Sequence, residues 1–158
     1  MTLFLIASRA SIRFFADTVQ QTPNRIGGQT ARGSVVARMW GRFAEIFSQS
    51  KTQRMSENRH PVVDEALNTI PPDPNAPGQH GQCAECQVIP EYLHAYEAQT
   101  GTKVTTIQQA RQVLQGTKVQ TAEVRGPNST SGVHGQPKAP CEVCQPLLDI
   151  FGIEYIGD

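Results

Sequence analysis

Through residues 33–48, Val35, Val36, Met39, Trp40, Phe43, Ile46 and Phe47 recur at helical spacing, with Arg32, Arg38 and Arg42 elsewhere on the wheel. The pattern predicts a basic amphipathic helix, which either packs on its own protein or meets a membrane surface or a partner helix. Residues 48–58 have no period and read as linker. Pro61 suits a first helical turn, and Val62, Val63, Ala66, Leu67 and Ile70 form one apolar face ended by Pro71-Pro72. Residues 73–82, rich in Pro and Gly, read as a loop.

Residues 84–99 read as a helix with Val88, Ile89, Tyr92, Leu93 and Tyr96 inward and Gly101 closing it. Pro90, inside that span, predicts a kink or a division. Thr106-Ile107-Gln108-Gln109 fits a capping box, so residues 106–114 form a short helix ended by Gly116. Residues 119–125 read as a strand, and residues 126–140, punctuated by Gly and Pro, as loose chain. Val143, Leu147, Leu148 and Phe151 make a last helical stripe. Pro146 predicts that Cys141–Cys144 form a tight turn, with the regular helix starting at Pro146. Residues 153–156 complete the pattern as a strand.

With 158 residues and no net charge, the chain can bury one domain core and carry an extension. No apolar run is long enough to predict a transmembrane segment. Charge is uneven: residues 1–59 hold nine Lys and Arg against three Asp and Glu, and the remainder five against eleven. That reversal predicts a basic, partly helical extension at 1–59, of which residues 1–56 are dispensable for chemistry, and a domain at 60–158. Residues 1–16, apolar, dotted with Arg and Ser and free of acids, are similar to an organelle transit peptide; the other reading is the ragged end of a longer polypeptide.

The candidate chemistry lies at two helix starts. Cys83-Ala84-Glu85-Cys86 and Pro140-Cys141-Glu142-Val143-Cys144 have the layout of a hydrolytic zinc site. Cys83, Cys141 and Cys144 supply three thiolates, the fourth position stays open for water, and Glu85 stands beside it as acid and base. Cys86 keeps a second arrangement open, because two Cys-x-x-Cys units also make a closed four-thiolate site. The 54 residues between Cys86 and Cys141 greatly exceed the about 15–20 of compact zinc ribbons, which favours three ligands. Pure disulfide pairing suits such closely spaced pairs less well. His80 and His134, each in a glycine-containing loop, are candidates to line a substrate pocket or are simply exposed.

Cys83-Ala84-Glu85 with Pro140-Cys141-x-x-Cys144 resembles the cytidine deaminase superfamily signature, with Cys in place of the usual His. More narrowly, His60-Pro61-Val62-Val63, Gly81-Gln82-Cys83-Ala84-Glu85, His134-Gly135 and the run from Pro140 to Leu148 resemble the YwqJ-like deaminases of bacterial polymorphic toxins. The resemblance covers about residues 60–158. It implies a three-layer α/β/α fold, Zn2+ between two helix N-termini, and hydrolytic removal of an amine from a nucleobase, cytosine-type first. It further implies a nucleic acid or nucleotide substrate, a secreted effector acting in a target cell, and an immunity protein as partner.

Two departures accompany the resemblance. The superfamily places a β-hairpin before the Glu-bearing helix, and between the two predicted helices only residues 71–82 are available. The hairpin therefore comes from upstream residues or the sheet is reduced. The chain also ends directly after residues 153–156, without the further strand and helix of longer members. A different class of function fits the four-thiolate arrangement: a zinc-stabilised module binding nucleic acid or a protein, with the basic extension as its contact surface.

Overall fold

The computed structural model describes residues 9–21, 35–49, 59–72, 74, 83–126 and 132–157. His80 and nearly all of the predicted 73–82 loop, together with most of the predicted linker, lie outside them.

The segment from residue 33 to 48 corrects the helical expectation. Strands β1 (Val35–Trp40) and β2 (Glu45–Gln49) form an antiparallel hairpin there, pairing Val36 with Gln49 and Trp40 with Glu45. A strand buried on both faces carries apolar residues at both parities, so the alternation that identifies a half-buried strand is missing. Arg38 completed the disguise. It is 1% exposed, stacked on Trp40 at 4.4 Å and near Phe47 at 5.8 Å, with Nη2 donating to Glu45 at 3.1 Å. Gly41 makes the turn feasible, because a Cβ there would come within 2.5 Å of the Tyr92 hydroxyl and 2.6 Å of the Thr117 methyl.

The sheet runs in the order β2-β1-β3-β4. Strand β3 (Lys118–Glu123) pairs antiparallel with β1, placing Arg38 opposite Gln120, and β4 (Glu154–Tyr155) joins β3 in parallel. The charge reversal at residue 59 is therefore no boundary in the fold: β1 lies inside the sheet, hydrogen-bonded on both edges to strands from either side of it. Composition marks charge, whereas strand pairing follows backbone hydrogen bonds and apolar burial.

Helix α1 (Arg9–Gln21) covers one face, where Ile12, Ala16 and Val19 pack against Val36, Ala122 and Val124. Half of the stretch similar to a transit peptide is thus built into this layer. The other face carries α2 (Pro61–Asn68), α3 (Ala84–Thr100), α4 (Ile107–Val113) and α5 (Cys144–Phe151), around a core that includes Met39, Val63, Ile89, Leu93, Leu147 and Phe151. The architecture is a three-layer α/β/α fold with a mixed sheet. Helix α3 runs through Pro90 undivided, and ends at Gly101 with φ 71°. Thr106 and Gln109 close the expected capping box. Helix α5 begins at Cys144 and not at Pro146, since Pro fits a first turn, where its missing N–H has no intrahelical partner to lose. Among the described residues no helix is long and apolar enough to cross a membrane.

His60 caps α2 by an unusual route. Its Nδ1 accepts the Val62 N–H at 3.2 Å, so the proton of the neutral ring sits on Nε2, 3.3 Å from Glu97 on α3. Burial holds its pKa below the ordinary 6.5 despite the Glu97 hydrogen bond. A depressed histidine pKa stabilises the fold fully above about 6.5, and that contribution is lost as pH falls from there through the folded value.

Two outcomes follow from this packing. A fragment of residues 60–158 lacks the hairpin, leaves both β3 and α3 without their main partners, and is expected to show no cooperative unfolding transition by circular dichroism. In urea titrations between pH 7.5 and 5, wild type should lose stability faster than His60→Asn, which keeps a capping oxygen but does not titrate. Parallel pH profiles would contradict the assignment.

Candidate metal centre

Local sequence sets up both halves of the site. Cys83 is the N-cap of α3, extended at φ −73° and ψ 155°, and its side chain makes no capping hydrogen bond, which leaves the sulfur available. Glu85 and Cys86 follow in the first turn. The second half arrives along residues 132–140, a strap held on β3. Gly135 N–H donates to Glu123 O at 2.7 Å, Glu123 N–H to Gln136 O at 2.8 Å, and Thr121 and Tyr155 hydroxyls both donate to the Lys138 carbonyl. The strap delivers Cys141 to the start of α5, whose Leu147, Leu148 and Phe151 are fully buried. Burial of each such side chain contributes about 1.5–3 kcal/mol, so the cysteines ride on anchored helices.

The three cysteines singled out by spacing converge. Cys83 and Cys141 sulfurs are 3.4 Å apart, Cys141 and Cys144 sulfurs 3.2 Å, and the three lie within 4.8 Å of one another. Thiolates at about 2.3 Å from a tetrahedral zinc stand about 3.8 Å apart, so the set closes around one ion with little movement. The Cys144 N–H donates to the Cys141 sulfur at 3.3 Å, and both helix N-termini favour negative charge. Cys86 is buried and approaches Cys144 at 3.8 Å, but does not belong to the mutually close trio.

Hydrogen bonds from Cys141, Cys144 and Cys86 drive the Cys83 thiol far below its usual range, while hydrogen bonds with Cys141, Cys83 and Cys86 drive Cys144 far above it. Sulfurs this close share one negative charge among them unless a cation joins them. The donor set therefore suits a soft divalent metal, which would be held by Cys83, Cys141 and Cys144.

Glu85 is 5% exposed, with Oε2 3.7 Å from the Cys144 sulfur. Burial first, and then the negative charge on Cys83, raises its pKa to about 7. A carboxyl in that range can both accept and release a proton near neutral pH. Lys138, exposed on the strap, favours the anionic forms of Cys83 and Glu85 and is a neighbour that cysteine spacing gave no reason to notice.

His134 is not brought to the sulfurs. Its Nδ1 accepts the Arg125 N–H at 3.1 Å and its Nε2 meets Asp17 of α1 at 2.7 Å, so it ties the strap between β3 and α1. A second donor group, His60, His94 and Glu97, also gathers within 4.8 Å. Its hydrogen bonds oppose metal binding: the His60 proton occupies Nε2, and the His94 Nε2–H donates to the Arg59 carbonyl at 2.9 Å. The adjacency of His60 to Pro61 hinted at a cap; nothing in the sequence pointed to His94 or Glu97.

The family model for YwqJ-like deaminases matches residues 29–153, which takes in the hairpin as well as both cysteine pairs. No curated protein and no solved structure gives a significant match.

Zinc titration should separate the cysteines. Cys141→Ala and Cys144→Ala are expected to lose most bound zinc and to unfold at markedly lower temperature, because structural-zinc binding is worth about 10–16 kcal/mol, comparable with a domain's whole stability. Cys86→Ser should retain close to one zinc per chain by elemental analysis. Zinc loss in Cys86→Ser equal to that in Cys141→Ala would make the site a closed four-thiolate one.

Proposed function

The chain belongs to the YwqJ-like deaminase family, and from that membership we propose that it is a zinc-dependent hydrolytic deaminase acting on a nucleobase amine, cytosine-type first, in nucleic acid or nucleotide. The observation that carries this reading is the buried Glu85 carboxylate beside the Cys83, Cys141 and Cys144 trio. A closed structural site has no use for a carboxylate there.

Zinc, which Cys83, Cys141 and Cys144 would hold, would supply the Lewis acidity that makes a water nucleophilic near neutral pH. Glu85 would orient the attacking water, take its proton as it adds to the amine-bearing ring carbon, and return a proton to the departing nitrogen. The carbon–nitrogen bond breaks, the ring carbon gains a carbonyl, and ammonia leaves. The apolar side chains behind α3 and α5 keep bulk water from the back of the site, which strengthens each of these contacts. Family membership also supports a role as the effector domain of a secreted polypeptide, acting inside a target cell and neutralised by an immunity protein.

The test is mass spectrometry of free nucleotides, single- and double-stranded DNA, and RNA after incubation with zinc-loaded protein, scoring conversion of amine to carbonyl. Glu85→Ala is expected to keep its zinc and its unfolding midpoint while turnover falls at least about 10²–10⁴-fold. If wild type converts no base and Cys86→Ser sheds its zinc, the chain is instead a four-thiolate binding module.

A further inference from the structure

At the opposite end of α3 from the sulfurs lies a cavity of about 200 Å3, between the β1–β2 turn, the α3–α4 connection and α4. Arg42 and Lys103 stand on its rim, Thr102 and Gln112 add polar groups, and no Asp or Glu lines it. Its aromatic wall is an edge-to-face pair, Phe43 and Tyr96, with ring centroids 4.8 Å apart. Neither Arg42 nor Lys103 has an ion-pair partner among the described residues, and Arg42 lies 5.6 Å from the Phe43 ring.

The walls are fixed before any ligand arrives. Phe43 N–H donates to the Tyr92 hydroxyl at 3.1 Å, the Gln99 amide donates to the Phe43 carbonyl at 2.5 Å, and Val104 N–H donates to Glu97 at 2.8 Å. All three acceptors or donors on the far side belong to α3. Lys103 feels the Glu97 carboxylate behind the wall, and Arg42 has no carboxylate against it among the described residues; a rigid concave site with aromatic faces and two cations on its rim selects a planar group attached to an anion. Its volume falls below the about 300–1,000 Å3 of drug-sized sites, so it admits one such unit and not a dinucleotide.

We propose that this cavity is a nucleotide-binding subsite, taking one base against Phe43 and Tyr96 and its phosphate between Arg42 and Lys103. The choice of a nucleotide among aromatic anions rests on the deaminase reading; the charge and shape of the cavity do not. Tyr96 lies eleven residues beyond Glu85 on α3, about 16 Å along the helix at 1.5 Å per residue. A nucleotide seated here is therefore distinct from the one at the metal centre. It is either a neighbour in the same single strand or a free mononucleotide.

Both sources can be separated in the Glu85→Ala background, zinc-loaded and full length, with a labelled ten-nucleotide single strand, cytidine monophosphate, cytidine and inorganic phosphate as probes. Arg42 and Lys103 are exposed, so Arg42→Ala and Lys103→Ala should fold normally. Each is expected to weaken a phosphate-bearing probe about three- to tenfold and to flatten the dependence of affinity on salt, leaving cytidine unaffected. Loss confined to the strand identifies a flanking nucleotide; loss for cytidine monophosphate as well identifies a free one. Unchanged binding of both in the double variant, or inorganic phosphate binding as tightly as the nucleotide, overturns the proposal. Turnover by the Glu85-containing protein is scored separately. Deamination with no effect of the double variant removes the subsite alone, and loss of binding without any deamination removes the catalytic reading alone.

Discussion

Helix α3 lies along the β1–β2 hairpin, and its seating fixes what happens at both of its ends. Met39 and Ile46 from the hairpin pack with Ile89, Tyr92 and Leu93, and the turn at Gly41–Phe43 is locked by the Tyr92 hydroxyl and the Gln99 amide. At the N-terminal end this alignment holds Cys83 and Glu85 against the start of α5. At the C-terminal end it holds Tyr96 against Phe43. Gly41 permits the close approach, since any side chain there would collide with Tyr92 and Thr117.

The sulfur cluster and the histidine cluster show why donor proximity alone does not make a metal site. Each brings three donors within 4.8 Å. In the sulfur cluster the three sulfurs crowd one another with little else to satisfy them, and a cation would relieve the crowding. In the histidine cluster both nitrogens of His60 are committed, to Val62 and Glu97, His94 Nε2 is committed to Arg59, and the Glu97 carboxylate already accepts from His60 and Val104. The first arrangement is a donor set suited to a soft divalent metal. The second is a buried polar clamp joining α2 to α3.

The strap of residues 132–140 matters because Cys141 and Cys144 otherwise hang on loose chain. Its backbone pairs with Glu123, its Lys138 carbonyl takes two hydroxyls, and His134 bridges to Asp17 on the far helix layer. The α1 layer, which lies on the opposite face of the sheet from the sulfurs, thereby takes part in positioning them.

The helices of the second half and most of their stops were legible in the sequence, although α5 starts two residues early, α3 runs through Pro90, and the His60 cap was not foreseen. Pro61, the Thr106–Gln109 box, Gly101 and Gly152 act within one or two turns, and local interactions need no knowledge of the rest of the chain. That Cys83 would stand with Glu85, and Cys141 with Cys144, was legible for the same reason, because the spacing places each pair on a single turn. The hairpin was not. Val35 to Phe47 satisfies a helical wheel as well as a strand buried on both faces, and only pairing with β3, eighty residues away, decides between them. Between Cys83 and Cys86 the only sequence argument was the long gap to Cys141, since both sit at one helix start; which sulfurs meet is set by how α3 and α5 cross. The sequence determined the local elements and the kinds of donor available. Long-range packing alone decided which segments share the sheet, which donors converge, and that His134 holds the fold together while His60 caps a helix.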